Sequence, residues 1–374
     1  MAPISAAESS STNITARTLT DGGQTPLEVA HEVAEFLGRA KRSLDLAQYD
    51  FHLGPDTADV VGGAIRAAAA RGVAVRIIYN VDHPNPIPVP PPAEPDVALI
   101  DSLGVPAKAI AGVPDLMHHK FVVRDGETVW TGSMNWTDDS WSRQENVIVV
   151  VESEELAEAF ASDFDELWRK GIVAESGRFP PKRIHVGELV VRPWFTPGFG
   201  EDLSQRIARM IARAHRRVRI CSPVISTAPV LGTLAQIVSE GRLDVAGCVD
   251  ATQVDEVVRQ WHANGNAAWK LPLLERALAT GFSGKDSTPY GEGTVHDFMH
   301  AKIVVADDVV FTGSFNLSRS GEANAENVLE LADGELAEQL ASYVDDVRRR
   351  YPPFSITPTR SSTAVSTTRR APPG

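Results

Sequence analysis

The sequence predicts an α/β fold built as two tandem halves. Three observations carry this. Each half reads helix, strand, helix, strand in the same order. Each then carries the same dense signature, at Met117–Val150 and again at Met299–Leu331. Each closes on a long helical pattern, Glu154–Lys170 and Glu335–Arg350. The length agrees, since 374 residues at about 150 per domain suggest two or three domains.

The elements follow in order. Residues 1–20 are rich in Ser, Thr and Ala without periodicity and read as a disordered tail. The N-terminal half, 21–175, opens with a helical pattern over Leu27–Arg39 and an alternating strand pattern over Ala40–Phe51. A helix over Val60–Arg71 and a strand over Val73–Tyr79 come next. His83–Asp96 carries proline at 84, 86, 88, 90, 91, 92 and 95, a density that excludes helix and central strand. It reads as a stiff surface loop or the rim of a site. Pro and Gly breaks in RFPPKR and RPWFTPGFG place a linker at 176–200. The C-terminal half, 201–351, repeats the pattern with Leu203–Arg213, Ala214–Ile225, Ala228–Glu240 and Leu243–Val249. Residues 352–374 read as a second disordered tail.

Composition excludes several classes. Hydrophobic residues are 43% and charged residues 23%, ordinary for a globular chain. Cys221 and Cys248 cannot make a disulfide framework or a cysteine-rich zinc site and read as buried small apolar residues. No run reaches the roughly 18 apolar residues of a membrane span, and the N-terminus lacks the charged and apolar regions of a secretory signal. The expectation is a cytoplasmic protein without integral membrane contact. A net charge of −13 argues against a surface that coats nucleic acid, though not against a local basic groove.

Both signatures begin Met-His-x-Lys, run through an apolar strand to Asp, and reach Thr-Gly-Ser-x-Asn after a second strand, with Glu-Asn beyond. Residues i and i+2 of a strand share a face, so His118 pairs with Lys120 and His300 with Lys302. Imidazole beside ammonium suits an anion, not a metal. The second strand delivers Ser133 and Asn135, or Ser314 and Asn316, whose hydroxyls and amides bond oxyanions. Together the halves can clamp one tetrahedral phosphate. A neutral imidazole can attack phosphorus and form a phosphohistidine, while the opposite imidazolium protonates the leaving alcohol. Lys120, Lys302, Asn135 and Asn316 would stabilise the nonbridging oxygens. Glu145 and Glu326 are candidates to accept the other ring N–H of a histidine and fix its tautomer. The two lysines take the place of a metal, so no cofactor is expected.

His118-x-Lys120-x-x-x-x-Asp125 and His300-x-Lys302-x-x-x-x-Asp307, each followed by Gly-Ser-x-Asn, resemble the paired motifs of the phospholipase D superfamily. The resemblance covers roughly Thr25 to Tyr351. It implies two repeats, each a mixed β-sheet flanked by helices, related by a pseudo-twofold axis with the site at their junction. It also implies phosphodiester cleavage through phosphohistidine, with His118 as nucleophile, His300 as acid, and Asp125 and Asp307 as supporting residues. The residues themselves leave the choice of nucleophile open. One departure stands out: Asp125 to Gly132 is one residue longer than Asp307 to Gly313. If the turn absorbs this, Ser314 and Asn316 stay in place.

Around the signature, His119 faces away from His118 and has Ala301 as its counterpart, which suits a structural role. His296 could line the cleft. Trp136 and Trp141 are core packing or an apolar wall for substrate. The expected activity is a metal-independent phosphodiesterase acting first on a nucleic acid or nucleotide. The alternative is a phospholipase D or phosphatidyltransferase acting on phospholipid headgroups, and a silent scaffold is the third reading. Because both half-sites lie in one chain, a monomer is expected.

Overall fold

The computed structural model describes residues 13–83, 94–263, 265–291 and 293–356. The prolines of the 84–92 run, the first twelve residues and residues 357–374 lie outside the described residues, and so do the disorder expectations made for them.

The first half begins with β1 (Ile14–Leu19) and α1 (Pro26–Gly38). A reciprocal capping box starts α1: Glu28 N–H donates to Thr25 Oγ1, and Thr25 N–H donates to the Glu28 carboxylate at 2.7 Å. β2 (Ser43–Gln48), β3 (Phe51–His52), α2 (Pro55–Ala70), β4 (Ala74–Val81), α3 (Val97–Ser102) and β5 (Ala107–Ala111) follow. The signature supplies β6 (Lys120–Arg124), β7 (Thr128–Gly132), β8 (Trp136–Thr137), α4 (Asp138–Ser142) and β9 (Asn146–Glu152). α5 (Glu154–Lys170) is capped by the Ser153 hydroxyl and stops at Gly171, whose φ of 70° needs a residue without Cβ. The main sheet has the order β1-β9-β7-β6-β2-β4-β5, parallel among β2, β4 and β5 and antiparallel elsewhere. β3 and β8 pair separately.

The second half contains β10 (Ile184–Val186), β11 (Leu189–Thr196), α6 (Gly200–Arg213), β12 (Arg217–Ser222), α7 (Ala228–Glu240), β13 (Asp244–Asp250), α8 (Ala251–Ala263), α9 (Leu271–Leu278) and β14 (Phe282–Lys285). It ends with β15 (Ile303–Ala306), β16 (Val309–Gly313), α10 (Arg319–Ala323), β17 (Glu326–Ala332) and α11 (Gly334–Arg350). Its sheet order, β10-β11-β17-β16-β15-β12-β13-β14, repeats that of the first half with one added edge strand.

Three boundaries are corrected. The expected tail over 1–20 contains β1, which pairs with β9 from Ile14↔Val151 to Leu19↔Asn146. The expected linker over 176–200 contains β11, the counterpart of β1, paired with β17 from Val190 to Thr196. Pro193 is tolerated there because β10 covers only Leu189–Val191, leaving that edge free. The expected tail from 352 begins as packed chain: Phe354 N–H bonds Phe282 O and its ring joins the second-half core. In each case a partner strand distant in sequence orders a segment whose own composition reads as loop.

One apolar core holds the halves together. It contains Phe160 and Phe164 of α5, Leu340 and Val344 of α11, and inward residues of both sheets. Separate cores lie under α1 and α2 and under α6, α7 and α9. Both tandem repeats are therefore present, joined by burial of apolar surface rather than by the connecting chain alone.

Candidate active site

The one-residue length difference is absorbed in the turn. β6 and β7 close with Arg124↔Thr128, leaving a three-residue turn, while β15 and β16 close with Ala306↔Val309, leaving two. Beyond the turns the registers match, as Phe121↔Thr131 and Ile303↔Thr312. Asp125 and Asp307 take φ of 60° and 53° in these turns. The Asp125 carboxylate accepts the N–H groups of Lys41, Arg42 and Ser43 at 2.6–3.0 Å. Asp307 accepts those of His215, Arg216 and Arg217 at 2.8–3.1 Å. Burial raises both carboxyls, but these bonds outweigh it and hold them below the usual range. Each aspartate thus ties a signature hairpin to the strand beside it and stays away from the junction.

The halves exchange contacts at the junction. Met117 bridges Ala325, with His118 N–H donating to Ala325 O at 2.9 Å, and Met299 bridges Glu145. Asn80, at the end of β4, accepts Met117 N–H at 3.0 Å, and Asp250, at the end of β13, accepts Met299 N–H at 3.0 Å. Sequence reasoning missed this pair; their matching positions at the carboxyl ends of parallel strands were the available signal.

The expected shared face is present. Lys120 Nζ donates to His118 O at 2.8 Å, and Lys302 Nζ to His300 O at 2.7 Å. All four side chains are buried. Burial lowers both imidazoles well below the ordinary value, and Lys120 and Lys302 lower them further. The carbonyl of Ser314 opposes this at His118, and that of Ser133 at His300. Burial also brings Lys120 down to about 7, against the pull of Glu326 and Asp50. Lys302 is lowered in the same way.

Glu326 lies where the expected role needs it, its Oε2 2.8 Å from His118 Nδ1 across the junction. Glu145 does not take it. His300 Nδ1 meets Asn146 Oδ1 at 3.1 Å, and Glu145 bonds Lys285 Nζ at 3.0 Å. The serines brace rather than reach outward: Ser133 Oγ donates to Asn146 Oδ1 at 2.7 Å, and Asn327 N–H donates to Ser314 Oγ at 3.0 Å. Asn135 is fixed by Ser140 Oγ on its N–H and by Trp141 Nε1 on its carbonyl, at 3.1 and 2.8 Å. Among the described residues, the Oδ1 atoms of Asn135 and Asn316 are buried without a hydrogen-bond partner; the group of each amide that could donate to an oxyanion is Nδ2.

The tryptophan wall is corrected. Trp136 and Trp141 are fully buried in the core under α1 and α2, and Trp141 acts on the site only through Asn135. His119 is structural, with Nε2 2.8 Å from Asp163 Oδ2 on α5. His296 is half-buried against the Tyr290 ring, its backbone held by Asp139 and Gln144 of the first half. The flank holds further residues of note. The Tyr49 ring lies 4.5 Å from the His118 ring and 4.7 Å from Lys120 Nζ. Asp50 is buried, and burial pushes its carboxyl up to about 7.

The family model for "Cardiolipin synthase, PLD-like domain" matches residues 33–168 and 207–348, one segment in each half. The chain belongs to this phospholipase D-like family. Among its relatives is human mitochondrial cardiolipin hydrolase, 29% identical over 152 residues, covering 39% of this chain and 53% of that protein. The chain thus spans about half the length of that relative. Cardiolipin synthase 1 of Bacillus anthracis is 25% identical over 358 residues, covering 89% of this chain and 66% of the relative. The solved phosphatidylserine synthase of Haemophilus influenzae Rd KW20 superposes with a TM-score of 0.64 at 14% identity, over 91% of this chain and 87% of its own, which shows the shared fold. Among the described residues of this phospholipase D-like chain, no helix is long and apolar enough to cross a membrane.

Proposed function

We propose that this chain cleaves or exchanges a phospholipid phosphodiester through a covalent phosphohistidine on His118. The observation that carries the reading is the imidazole of His118 held by Glu326 from the other half, with Lys120 and Lys302 beside it. His118 Nε2 attacks phosphorus. The P–O bond to the leaving alcohol breaks as His300 gives that oxygen its proton. His300 then takes a proton from water or an acceptor alcohol, whose oxygen attacks phosphorus and breaks the P–N bond. The two ammonium groups and the amides of Asn135 and Asn316 hold the nonbridging oxygens. A phosphodiester anion bound here raises the pKa of Lys120, Lys302 and His300, which burial lowers in its absence, and so supports the two ammonium groups and the protonated acid.

The relatives favour the phospholipid reading over the nucleic-acid reading. The names of the curated relatives refer to cardiolipin chemistry. The test is a panel in EDTA: vesicles of cardiolipin or phosphatidylglycerol, oligonucleotides, and bis(p-nitrophenyl) phosphate, with H118A as blank. Headgroup release or alcohol exchange from vesicles, absent in H118A, is expected. Turnover of oligonucleotides with none of lipid would overturn the substrate class.

A further inference from the structure

Glu145 and Glu326 are equivalent in the two signatures, yet they do different things. Glu326 bonds His118 at 2.8 Å. Glu145 is fully buried and bonds the Lys285 ammonium at 3.0 Å, the Tyr351 hydroxyl and the Asp21 N–H. The backbone carries the same asymmetry. Met117 bridges Ala325, while Met299 bridges Glu145, one residue past Gln144, the counterpart of Ala325. A one-residue displacement changes which side chain faces a partner, and here it presents Asn146 to His300.

The cause lies at one position. Lys285 on β14 is in register with Asp250, as Ile110 on β5 is in register with Asn80. Ile110 sits in the shared apolar core and offers an anion nothing, which leaves Glu326 to His118. Lys285 is buried and also bonds Arg143 O and Asp21 Oδ2, each at 3.1 Å. We propose that Lys285, assisted by Tyr351, is a positioning residue that keeps Glu145 off His300 and so makes the two site histidines inequivalent. The inference rests on the phosphohistidine reading and adds the device that divides its labour. A carboxylate at Nδ1 stabilises the positive charge His118 gains on attacking phosphorus. His300, without one, is the stronger proton donor. The titratable groups facing His300 are Lys302 of its own segment and Lys120 and His118 of the other half, with Glu145 engaged by Lys285.

The test reads the His300 titration directly, by histidine-selective NMR of the full chain without substrate, alongside the alkaline limb of kcat/KM. K285I frees Glu145, so the His300 midpoint rises by about one unit and the limb follows. K285R leaves both in place. E145Q added to K285I returns the midpoint to its original value, and Y351F, which changes no charge, separates contact of Glu145 with His300 from a change in local field. Y351F, with Lys285 still present, gives a smaller rise and serves if K285I does not fold. A midpoint unmoved in K285I or Y351F, or a rise that persists in K285I/E145Q, would overturn the proposal. Because the NMR midpoint needs no turnover, failure of the phosphodiester reading shows separately in the substrate panel.

Discussion

In the proposed mechanism, Glu326 is the residue on which His118 depends. Burial pushes its carboxyl up to about 7, against Lys120 and its bonds to Ser314 and Asn324. The His118 imidazole, lowered by burial and by the two lysines, stays neutral across this range. Activity should therefore fall as pH drops through about 7, because protonated Glu326 no longer accepts the His118 N–H. E326Q should lower kcat by on the order of 10²-fold and abolish that acid limb. A limb unchanged in E326Q would assign the titration to another group, of which Asp50, also near 7, is the first candidate.

At the scale of elements, the hairpins and their glycines set the site. Gly132 and Gly313 take φ of 152° and 158°, and an added Cβ would lie 2.0 Å from Val147 O or 2.1 Å from Asn327 O. G313A should destabilise the chain by more than about 2 kcal/mol and reduce activity as Asn316 moves; denaturant unfolding and kcat check both. D125A leaves three backbone N–H groups without an acceptor and should cost about 2 kcal/mol. The sign with pH follows: Asp125 and Asp307 are depressed in the folded state, so their contribution is present above the unfolded carboxyl value and lost as pH falls through the folded one. Much of this was legible in the sequence. The doubled signature pointed to His118, Lys120, His300, Lys302 and Glu326, which the fold brings together, and α7 runs over Ala228–Glu240 as its periodicity predicts. β1 and β11 were not legible, because Ser/Thr-rich flanks and Pro193 mask alternation that only pairing with β9 and β17 makes meaningful. Trp136 and Trp141 follow the core reading the sequence offered and not the wall, a choice their position after the motif left open because such aromatics look alike whether they face substrate or core. Glu145 misled because its captor, Lys285, lies 140 residues away.

At the scale of the whole molecule, the proposed site draws on both halves. Met117 meets Ala325, Met299 meets Glu145, and a continuous core crosses the junction. Residues 13–176 expressed alone should expose that core and be inactive as a monomer, appearing as aggregate or dimer by size exclusion; an active monomeric half would refute the shared site. The central claim, a covalent intermediate on His118, is tested most directly by rapid acid quench during turnover of a radiolabelled phosphatidyl substrate, followed by peptide mapping. The account predicts label on the peptide carrying His118, absent in H118A and diminished in H300A, which lacks the proton donor for the leaving alcohol. Label on the His300 peptide, or steady turnover with no labelled peptide in any variant, would contradict it.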